Sequence, residues 1–449
     1  MMLTLLGFLM VATFMTLIMT KRMPPLVALI VIPIVFGLIG GFGGELGPMM
    51  QAGLQKIAPT GVLLMFAILY FGLMIDSGLF DPIVIGLLKA VKGDPVKIIV
   101  GTVLLCALVS LDGDGSTAYM ITAAAMLPLY KRLRLNPLMM ICLMMVTSGV
   151  MNILPWGGPT ARVASALQLD VDRVFVPMIP AMVAGLVALV GVAYLFGRAE
   201  RKRLGVLTLS IPNDDGVPPP AINEGIDDMM RAGDGDITVS TDPDARRPKL
   251  LWFNALLTVS LIGLLIIGVL PLPILFMCGF AIAAAVNYPR IEDLRARVAA
   301  YSPNAMAVVA LIFAAGIFTG ILSGTGMVDA MSKWLVSIIP PSMGPHMVAI
   351  TATLSLPLTF FISNDAFYFG VVPVLAEAAT HYGISKEAVA MASLVGQPVH
   401  LLSPLVPSTY LLVSLAGVEL GDHQKFTLKW AALISLVLFL AAAACGVFR

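Results

Sequence analysis

Apolar segments long enough to cross a lipid bilayer recur from one end of this sequence to the other. Runs of 18 or more apolar residues follow one another, and of the 449 residues 59% are hydrophobic and only 12% are charged. A bilayer-spanning helix needs about 20 apolar residues, whereas a transmembrane β-barrel would show alternating segments of roughly ten residues. The sequence therefore predicts an all-α polytopic membrane protein and excludes the soluble class.

The N-terminal segment, MMLTLLGFLMVATFMTLIMTKRMPP, has the apolar character of a secretory signal. It lacks a basic leading region and a clear small-residue cleavage site, so we expect it to form the first membrane helix. The net charge of +1 gives no reason to expect a nucleic-acid partner. The four cysteines lie at unrelated spacings, which fit neither a zinc site nor a disulfide framework.

One long polar segment, residues 198–249, interrupts the apolar pattern. It is rich in Asp, Pro and Gly and carries basic clusters at both ends. This composition is typical of a flexible linker, and the basic clusters place it in the cytoplasm by the positive-inside rule. The segment divides the chain into a first membrane repeat, 1–197, and a second, 250–449.

Basic residues in the other loops constrain the topology further. Lys97 precedes the stretch 98–130 and Lys131 follows it, and both should face the cytoplasm. Each arm of this stretch has about 13–15 residues, whereas a spanning helix needs about 20. We therefore expect a re-entrant helical hairpin with the tip SLDGDGSTAY, residues 110–119. Other basic residues, at 290–297, precede a helix that we expect to begin at about 303.

The two halves repeat at an offset of about 250 residues. FGLMIDSGLFDPI matches TGILSGTGMVDAM, and the first hairpin tip matches FFISNDAFYFG, with Asp114 opposite Asp365. Counting helices through the linker gives the halves opposite orientations, so the second hairpin, about 346–380, enters from outside. Inverted repeats with paired interrupted segments are typical of secondary transporters, whose binding site lies near the bilayer midplane.

Proline and glycine predict two broken helices, at about 137–168 and about 385–415, because these residues interrupt helical hydrogen bonding. Free backbone N–H groups at such breaks suit an anion, and free carbonyls suit a cation. Polar backbone at membrane depth also requires a protein-lined cavity. The substrate-binding residues predicted at the tips and breaks are Ser116, Thr117, Asn152, Gly157, Gly158, Thr160, Arg162, Ser363, Asn364, Ser403, Ser408 and Thr409.

Arg162 follows the first break, where an unpaired charge would be unfavourable unless it faced a cavity. Its guanidinium group can form two hydrogen bonds with a carboxylate. The functional hypothesis is a clamp for an anionic substrate. The alternatives are a structural ion pair with Asp114 or Asp365, or a side chain that reaches to the membrane surface.

Asp112, Asp114 and Asp365 are candidate proton carriers or ligands of a divalent metal ion. Buried carboxyl groups can titrate near neutral pH, and oxygen-rich sets suit Mg²⁺ or Ca²⁺. The alternative role for each is a helix cap. His400 could relay protons, because imidazole titrates near neutral pH, or it could be a hydrogen-bonded core residue.

Four segments carry a family resemblance: SLDGDGSTAYMI, MNILPWGGPTARVASAL, SNDAFYFGVVPVLAE and GQPVHLLSPLVPSTYLLVSLAGVELGDHQKF. They resemble the CitMHS family, the bacterial citrate–divalent metal:proton symporters of the ion transporter superfamily. The resemblance covers almost the whole chain except the linker. It implies proton-driven uptake of citrate complexed with a cation such as Mg²⁺ or Ca²⁺ across the cytoplasmic membrane, without a resident cofactor or enzymatic activity. It also implies an elevator-like movement of the substrate domain and a homodimer within the lipid.

Chelation makes this cargo physically reasonable. Free citrate is a trianion at neutral pH, and moving it against an interior-negative potential costs about 2.3 kcal/mol per charge per 100 mV. One bound divalent ion leaves a single negative charge. One proton then makes transport electrically neutral, and a second allows the membrane potential to drive it.

Other functions are also consistent with parts of this pattern. The nearest is a dicarboxylate or other anion transporter, or a sodium–proton antiporter, of the same superfamily. An intramembrane Mg²⁺-dependent enzyme would carry paired aspartates on helices near a membrane face, whereas here the aspartates lie at glycine-rich tips. A passive channel fits hairpins that open to opposite sides less well than alternating access does.

Overall fold

The computed structural model consists of helices joined by turns and short irregular segments. It describes residues 2–82, 86, 94–113, 115–204, 245–340 and 342–448. Within these ranges there is no β-strand, and five helices are long and apolar enough to cross a membrane. The predicted all-α polytopic architecture is confirmed.

The described part of the first half contains two long helices and several short ones. They are α1 (Met2–Met19), α2 (Pro25–Ile39), α3 (Leu46–Asp76), α4 (Pro95–Val109), α5 (Gly115–Arg132), α6 (Pro137–Met151), α7 (Gly158–Leu167), α8 (Val171–Phe175) and α9 (Ile179–Leu204). A 3₁₀ turn, Ser110–Asp112, follows α4 at the predicted hairpin tip.

The described part of the second half follows a similar order. Its helices are α10 (Leu251–Ile267), α11 (Leu272–Asn287), α12 (Ile291–Gly324), α13 (Met327–Ile338), α14 (Met347–Phe361), α15 (Val372–Thr380), α16 (Lys386–Leu394), α17 (Gln397–His400), α18 (Pro407–Ala416) and α19 (Leu420–Ala444). A π-helical segment, Ala366–Val371, precedes α15.

The segments predicted to be re-entrant hairpins each consist of two helices. α4 contacts α5 in the first half, and α14 contacts α15 in the second. All four helices have 18 residues or fewer. That the two hairpins enter the membrane from opposite sides stays a prediction.

Local signals explain where the broken segments begin. The Asn136 side chain accepts a hydrogen bond from the backbone N–H of Leu138 at 2.9 Å, and Pro137 occupies the first position of α6. The Ser385 hydroxyl oxygen likewise accepts from the N–H of Ala388 at 3.2 Å before α16. Such side chains satisfy N–H groups that have no partner within the helix.

The helices that follow the two breaks occur at matching positions in the two halves. α7 begins at Gly158 and α18 at Pro407, an offset of 249 residues (407 minus 158). Each has 10 residues, and each ends at a left-handed residue, Gln168 (φ 56°) or Gly417 (φ 67°). Both segments that the sequence predicts to be broken helices are therefore interrupted, and they resume and end at equivalent positions.

Helices α3 and α12, which the sequence repeat makes equivalent, pack against each other along most of their length. A Cβ on Gly53 would lie 2.9 Å from the Cα of Gly320, and a Cβ on Gly72 would lie 2.6 Å from the ring of Tyr301. Residue numbers rise along one helix while they fall along the other. The two helices therefore run antiparallel.

The equivalent helices α9 and α19 pack in the same way. A Cβ on Gly185 would lie 2.8 Å from Leu438, and the rings of Phe196 and Phe426 have centroids 5.7 Å apart. These contacts also require an antiparallel pair. Inverted repeats would place equivalent helices in opposite directions, and the division into two inverted halves stays a prediction.

One predicted helix boundary is wrong. We expected a helix from about 303, with the basic residues before it in a loop, but α12 begins at Ile291 and Pro303 lies inside it. Tertiary contacts hold the additional turns, since the Tyr301 hydroxyl donates to Asp76 Oδ1 at 2.8 Å and Arg297 Nη1 lies 3.4 Å from Asp76 Oδ2. An ion pair at the end of α3 thus stabilises the start of α12.

Both described ends of the polar segment 198–249 are ordered. α9 continues to Leu204. At the other end, the Arg247 N–H donates to the carbonyl of Ser77 at 3.1 Å, and the Tyr288 hydroxyl donates to the carbonyl of Ala245 at 2.9 Å. The interpretation of the whole segment as a flexible linker is therefore wrong at these ends, and its central part, 205–244, lies outside the described residues.

Candidate functional site

The first break is closed by a short backbone loop. α6 ends at Met151 with Asn152 as its C-cap, and the hydroxyl of Thr160 in α7 donates to the carbonyl of Ile153 at 2.9 Å. Any side chain on Gly157 would collide with the carbonyl oxygen of Asn152, so glycine is required there. The threonine fastens the start of α7 to the end of α6.

The second break is closed in the same manner. The hydroxyl of Thr409 in α18 donates to the carbonyl of Leu401, eight residues earlier, at 2.5 Å. Thr160 and Thr409 are both fully buried. Each threonine therefore has a described role in the backbone of its own break, and a direct contact of either with a substrate stays a prediction.

In each half, a side chain of the break also forms a hydrogen bond with the hairpin tip. Trp156 Nε1 donates to the carbonyl of Leu111 at 2.8 Å, and the Ser403 hydroxyl donates to the carbonyl of Phe360 at 2.6 Å. Leu111 and Phe360 are again 249 residues apart (360 minus 111). Carbonyls at the end of a helix have no partner within it, and these side chains satisfy one in each hairpin.

His400 adds a further contact to the second tip. Its Nδ1 lies 2.7 Å from the carbonyl oxygen of Thr359, and the side chain is buried. The sequence left two roles open for His400, a proton relay and a hydrogen-bonded core residue. This geometry matches the second role.

The two broken helices cross at equivalent positions. A Cβ on Gly149 of α6 would lie 2.6 Å from the Cα of Pro398 in α17, and these two residues are also 249 apart (398 minus 149). The absence of a side chain at Gly149 allows the backbones to meet. The breaks of the two halves are thereby brought to the same place.

An ion pair joins the halves at this crossing. Arg162 Nε donates to Asp365 Oδ1 at 2.6 Å, and the two side chains are 20% and 13% exposed. Arg162 belongs to α7 of the first half, whereas Asp365 precedes the π-helical segment at the second tip. A Cβ on Gly158 would lie 2.7 Å from Arg162 Nη1, so this glycine leaves room for the guanidinium group.

The remaining polar residues of the second tip are also organised. The Ser363 hydroxyl oxygen accepts a hydrogen bond from the N–H of Ala366 at 3.2 Å. Asn364 Oδ1 lies 3.4 Å from Gln397 Nε2, and the same nitrogen donates to the hydroxyl of Tyr368 at 2.7 Å. Gln397 and Tyr368 are both completely buried.

At the first tip, Asp114 lies outside the described residues, as do the side chains of Asp112, Ser116 and Thr117. Their predicted roles in binding substrate, protons or metal stay predictions. The backbone there is described at Gly113, which is left-handed with φ 81°. A Cβ on that glycine would lie 2.7 Å from Trp156 Cδ1.

Exposure separates two groups among the described candidates. Thr160, Ser403, Thr409, His400 and Gly157 are buried. Those that keep partial exposure are Asn152, Gly158, Arg162, Ser363, Asn364, Asp365 and Ser408. The partly exposed group carries the Arg162–Asp365 pair and is the better placed to meet a solute.

The described residues contain no group of three or more His, Cys, Asp or Glu side chains placed to hold a metal ion. Of the predicted metal ligands, Asp365 is engaged by Arg162, and the side chains of the other two are outside the described set.

Sequence reasoning did not identify Trp156, Tyr368 or Gly149 as parts of the site. Trp156 lies within the first break, and an indole N–H between prolines and glycines indicates a nearby acceptor. Tyr368 and Gly149 lie in apolar helical runs, where no local signal separates them from packing residues.

Nearly the whole chain is similar in sequence to known proteins. The CitMHS family profile, described as a citrate transporter, matches residues 14–396. A Bacillus subtilis (strain 168) protein described as a citrate transporter is 57% identical over 449 residues, with 99% of each chain covered. A second protein of that strain, described as a Mg²⁺/citrate complex secondary transporter, is 52% identical over 446 residues, again with 99% of each chain covered.

Two solved structures are similar in fold. The crystal structure of the Alcanivorax borkumensis YdaH transporter, which has an unusual topology, aligns with a TM-score of 0.56 at 16% identity over 91% of this chain and 90% of YdaH. Neisseria gonorrhoeae MtrF, from a class of antimetabolite efflux pumps, aligns with a TM-score of 0.55 at 12% identity over 91% and 85% of the two chains. At these identities the similarity shows the fold alone.

Proposed function

The chain belongs to the CitMHS citrate transporter family, and from this premise we propose that it takes up citrate as a complex with a divalent metal ion, driven by protons. It is a transporter rather than an enzyme, and it is a multi-pass protein of the cytoplasmic membrane. The metal complex and the proton coupling are the proposed parts. The observation that carries them is the Arg162–Asp365 ion pair at the crossing of the two breaks.

In this proposal Arg162 exchanges one carboxylate for another. Without cargo its guanidinium group is neutralised by Asp365, at 2.6 Å. A carboxylate of citrate can form the same charge-assisted hydrogen bonds with the guanidinium fork. The partly exposed position of the pair gives the cargo a route to Arg162.

In this proposal, proton coupling arises because citrate displaces Asp365 from Arg162. When citrate takes Arg162, Asp365 loses its positive neighbour. A half-buried carboxylate without a counter-charge is unfavourable, and protonation removes that charge. Cargo and proton would therefore bind together and leave together, and in the empty protein the restored ion pair would keep the site neutral.

The divalent ion reduces the charge that must be carried. The described site offers a single arginine close to Asp365, which suits a monoanionic complex better than a free trianion. A second curated relative is described as transporting a Mg²⁺/citrate complex, which supports this form of the cargo. Mg²⁺ and Ca²⁺ are both candidates, since both prefer oxygen ligands.

The test is uptake of labelled citrate by energised cells that express the protein. Uptake should require Mg²⁺ or Ca²⁺ and should collapse when a protonophore removes the proton gradient. Uptake of free citrate in the presence of a chelator would contradict the metal complex. Dependence on a sodium gradient instead of protons would favour a sodium-coupled anion transporter of the same superfamily.

A further inference from the structure

The side-chain amide of Gln397 contains an unusual buried atom. Its Nε2 donates to the Tyr368 hydroxyl at 2.7 Å and lies 3.4 Å from Asn364 Oδ1. Its Oε1, although buried, has no hydrogen-bond partner among the residues that the structure describes. Buried polar atoms in folded proteins are nearly always paired, so this oxygen is free to accept from an ordered water or to bind a group that is supplied from elsewhere.

The surrounding hydrogen bonds determine which atom of the amide lacks a partner. In the observed orientation Gln397 donates to the Tyr368 oxygen, and the Tyr368 hydroxyl donates in turn to the carbonyl of Ser393 at 3.5 Å. Rotating the amide by 180° would place Oε1 against Asn364 Oδ1, and both are acceptors. With Asn364 and Tyr368 in the orientations that the structure gives them, the atom without a partner is the oxygen.

Position limits what this oxygen could bind. Asn364 directly precedes Asp365, which pairs with Arg162 at 2.6 Å. Gln397 thus lies beside the proposed carboxylate clamp. An amide oxygen would repel a second carboxylate, whereas it is a preferred ligand for hard cations such as Mg²⁺ and Ca²⁺.

We propose that the side-chain oxygen of Gln397 is a ligand for the divalent cation of the cargo, and that Tyr368 is a positioning residue that holds the amide in this orientation. This inference rests on the proposed function. Arg162 would bind the carboxylate side of the complex and Gln397 the metal side. The protein would then distinguish a metal–citrate complex from free citrate by two contacts, one with a negatively charged carboxylate and one with the positively charged metal ion.

The test compares citrate uptake with saturating Mg²⁺ and with saturating Ca²⁺ in variants of the full chain. Gln397→Met keeps the approximate volume but removes the oxygen, and it should lower uptake of the preferred complex at least about tenfold and change the Mg²⁺/Ca²⁺ uptake ratio. Tyr368→Phe should change the ratio in the same direction by a smaller factor. Gln397→Glu keeps an oxygen ligand and should retain metal-dependent uptake with a shifted ratio.

Thr351→Val is the matched control. Thr351 lies in α14, and its buried hydroxyl also has no hydrogen-bond partner within the described part of the chain. It precedes the second tip by about ten residues, or about 15 Å of helix, so its removal should leave the ratio unchanged.

An unchanged Mg²⁺/Ca²⁺ ratio in Gln397→Met, whatever its overall rate, would overturn the proposal and assign Gln397 a packing role. If Gln397→Met does not reach the membrane, an unchanged ratio in Gln397→Glu has the same meaning. A wild-type protein whose citrate uptake needs no divalent ion would instead refute the proposed function itself, independently of any variant.

Discussion

The two helix breaks have nearly the same backbone but different side chains. Each leads into a ten-residue helix that a threonine fastens to the preceding carbonyls. At the position of Arg162, however, the second half has Leu411, 249 residues later (411 minus 162). The repeat therefore supplies the scaffold twice, and the charged chemistry of the crossing comes from one residue of each half, Arg162 and Asp365.

This difference teaches that two similar halves can form a junction whose charged residues are not symmetric. A symmetric pair of arginines would carry one more positive charge than a monoanionic complex can neutralise. One arginine and one carboxylate from different halves balance each other in the structure. In the proposed function, exchange of a single carboxylate would bind the cargo.

The largest expected effect on citrate uptake comes from removing Arg162, whose positive charge has no equivalent in the second half. Arg162→Ala should reduce citrate uptake about 100-fold or more, because it removes a charge-assisted contact and leaves Asp365 without its partner. Uptake of labelled citrate, normalised to the amount of protein in the membrane, measures the effect. Leu411→Ala at the equivalent position is the control and should retain most activity. Normal uptake by Arg162→Ala would remove the clamp from the mechanism.

A smaller effect is expected at the carboxylate of the pair. Asp365→Asn keeps the shape of the side chain but cannot exchange a proton, so uptake should fall about tenfold and lose much of its dependence on external pH. The measurement is the pH profile of uptake with and without a protonophore. Asp114→Asn, at the matching position of the first tip, shows whether coupling is shared between the tips. A wild-type pH profile in Asp365→Asn would point to a structural ion pair.

The crossing of the two broken helices should be sensitive to the volume of the side chain at residue 149. Gly149→Ala would place a methyl group 2.6 Å from the backbone of Pro398, and the resulting strain should destabilise the protein by about 1–3 kcal/mol. Thermal unfolding of the purified protein in detergent would show a lower Tm. Gly191→Ala is the control, since no described atom outside its adjacent residues and the neighbouring backbone of its own helix lies within 4 Å of its Cβ position. Equal Tm values for the two variants would mean that the breaks do not meet as tightly as the structure shows.

The smallest effects are expected at the threonines that the two halves share. Thr160→Val and Thr409→Val each remove one buried hydrogen bond, which contributes about 1 kcal/mol. Both variants should unfold at slightly lower temperature and keep the KM for metal–citrate. A stable Thr160→Val protein with a greatly raised KM would instead make this hydroxyl a substrate contact.

Local signals in the sequence predict well where the first broken segment begins and where it resumes. Asn136 with Pro137, and Gly157 with Gly158, mark the start of α6 and the start of α7, as capping and glycine rules require. The start of α12 could not be predicted in the same way. Its first turns depend on contacts with Asp76, which is 225 residues from Tyr301 in the chain.

The sequence by itself determined the polytopic helical class, the family, the two interrupted segments and the polar residues within them, because hydropathy, proline and glycine act over a few neighbouring residues. Only the tertiary structure decided which partners these residues take. Arg162 and Asp365 are separated by 203 residues, and they meet because Gly149 and Pro398 allow the two breaks to cross. The unpaired oxygen of Gln397 is likewise visible only once Tyr368 and Asn364 surround its amide. Charge pairing and burial depend on distance in space, which no local pattern specifies.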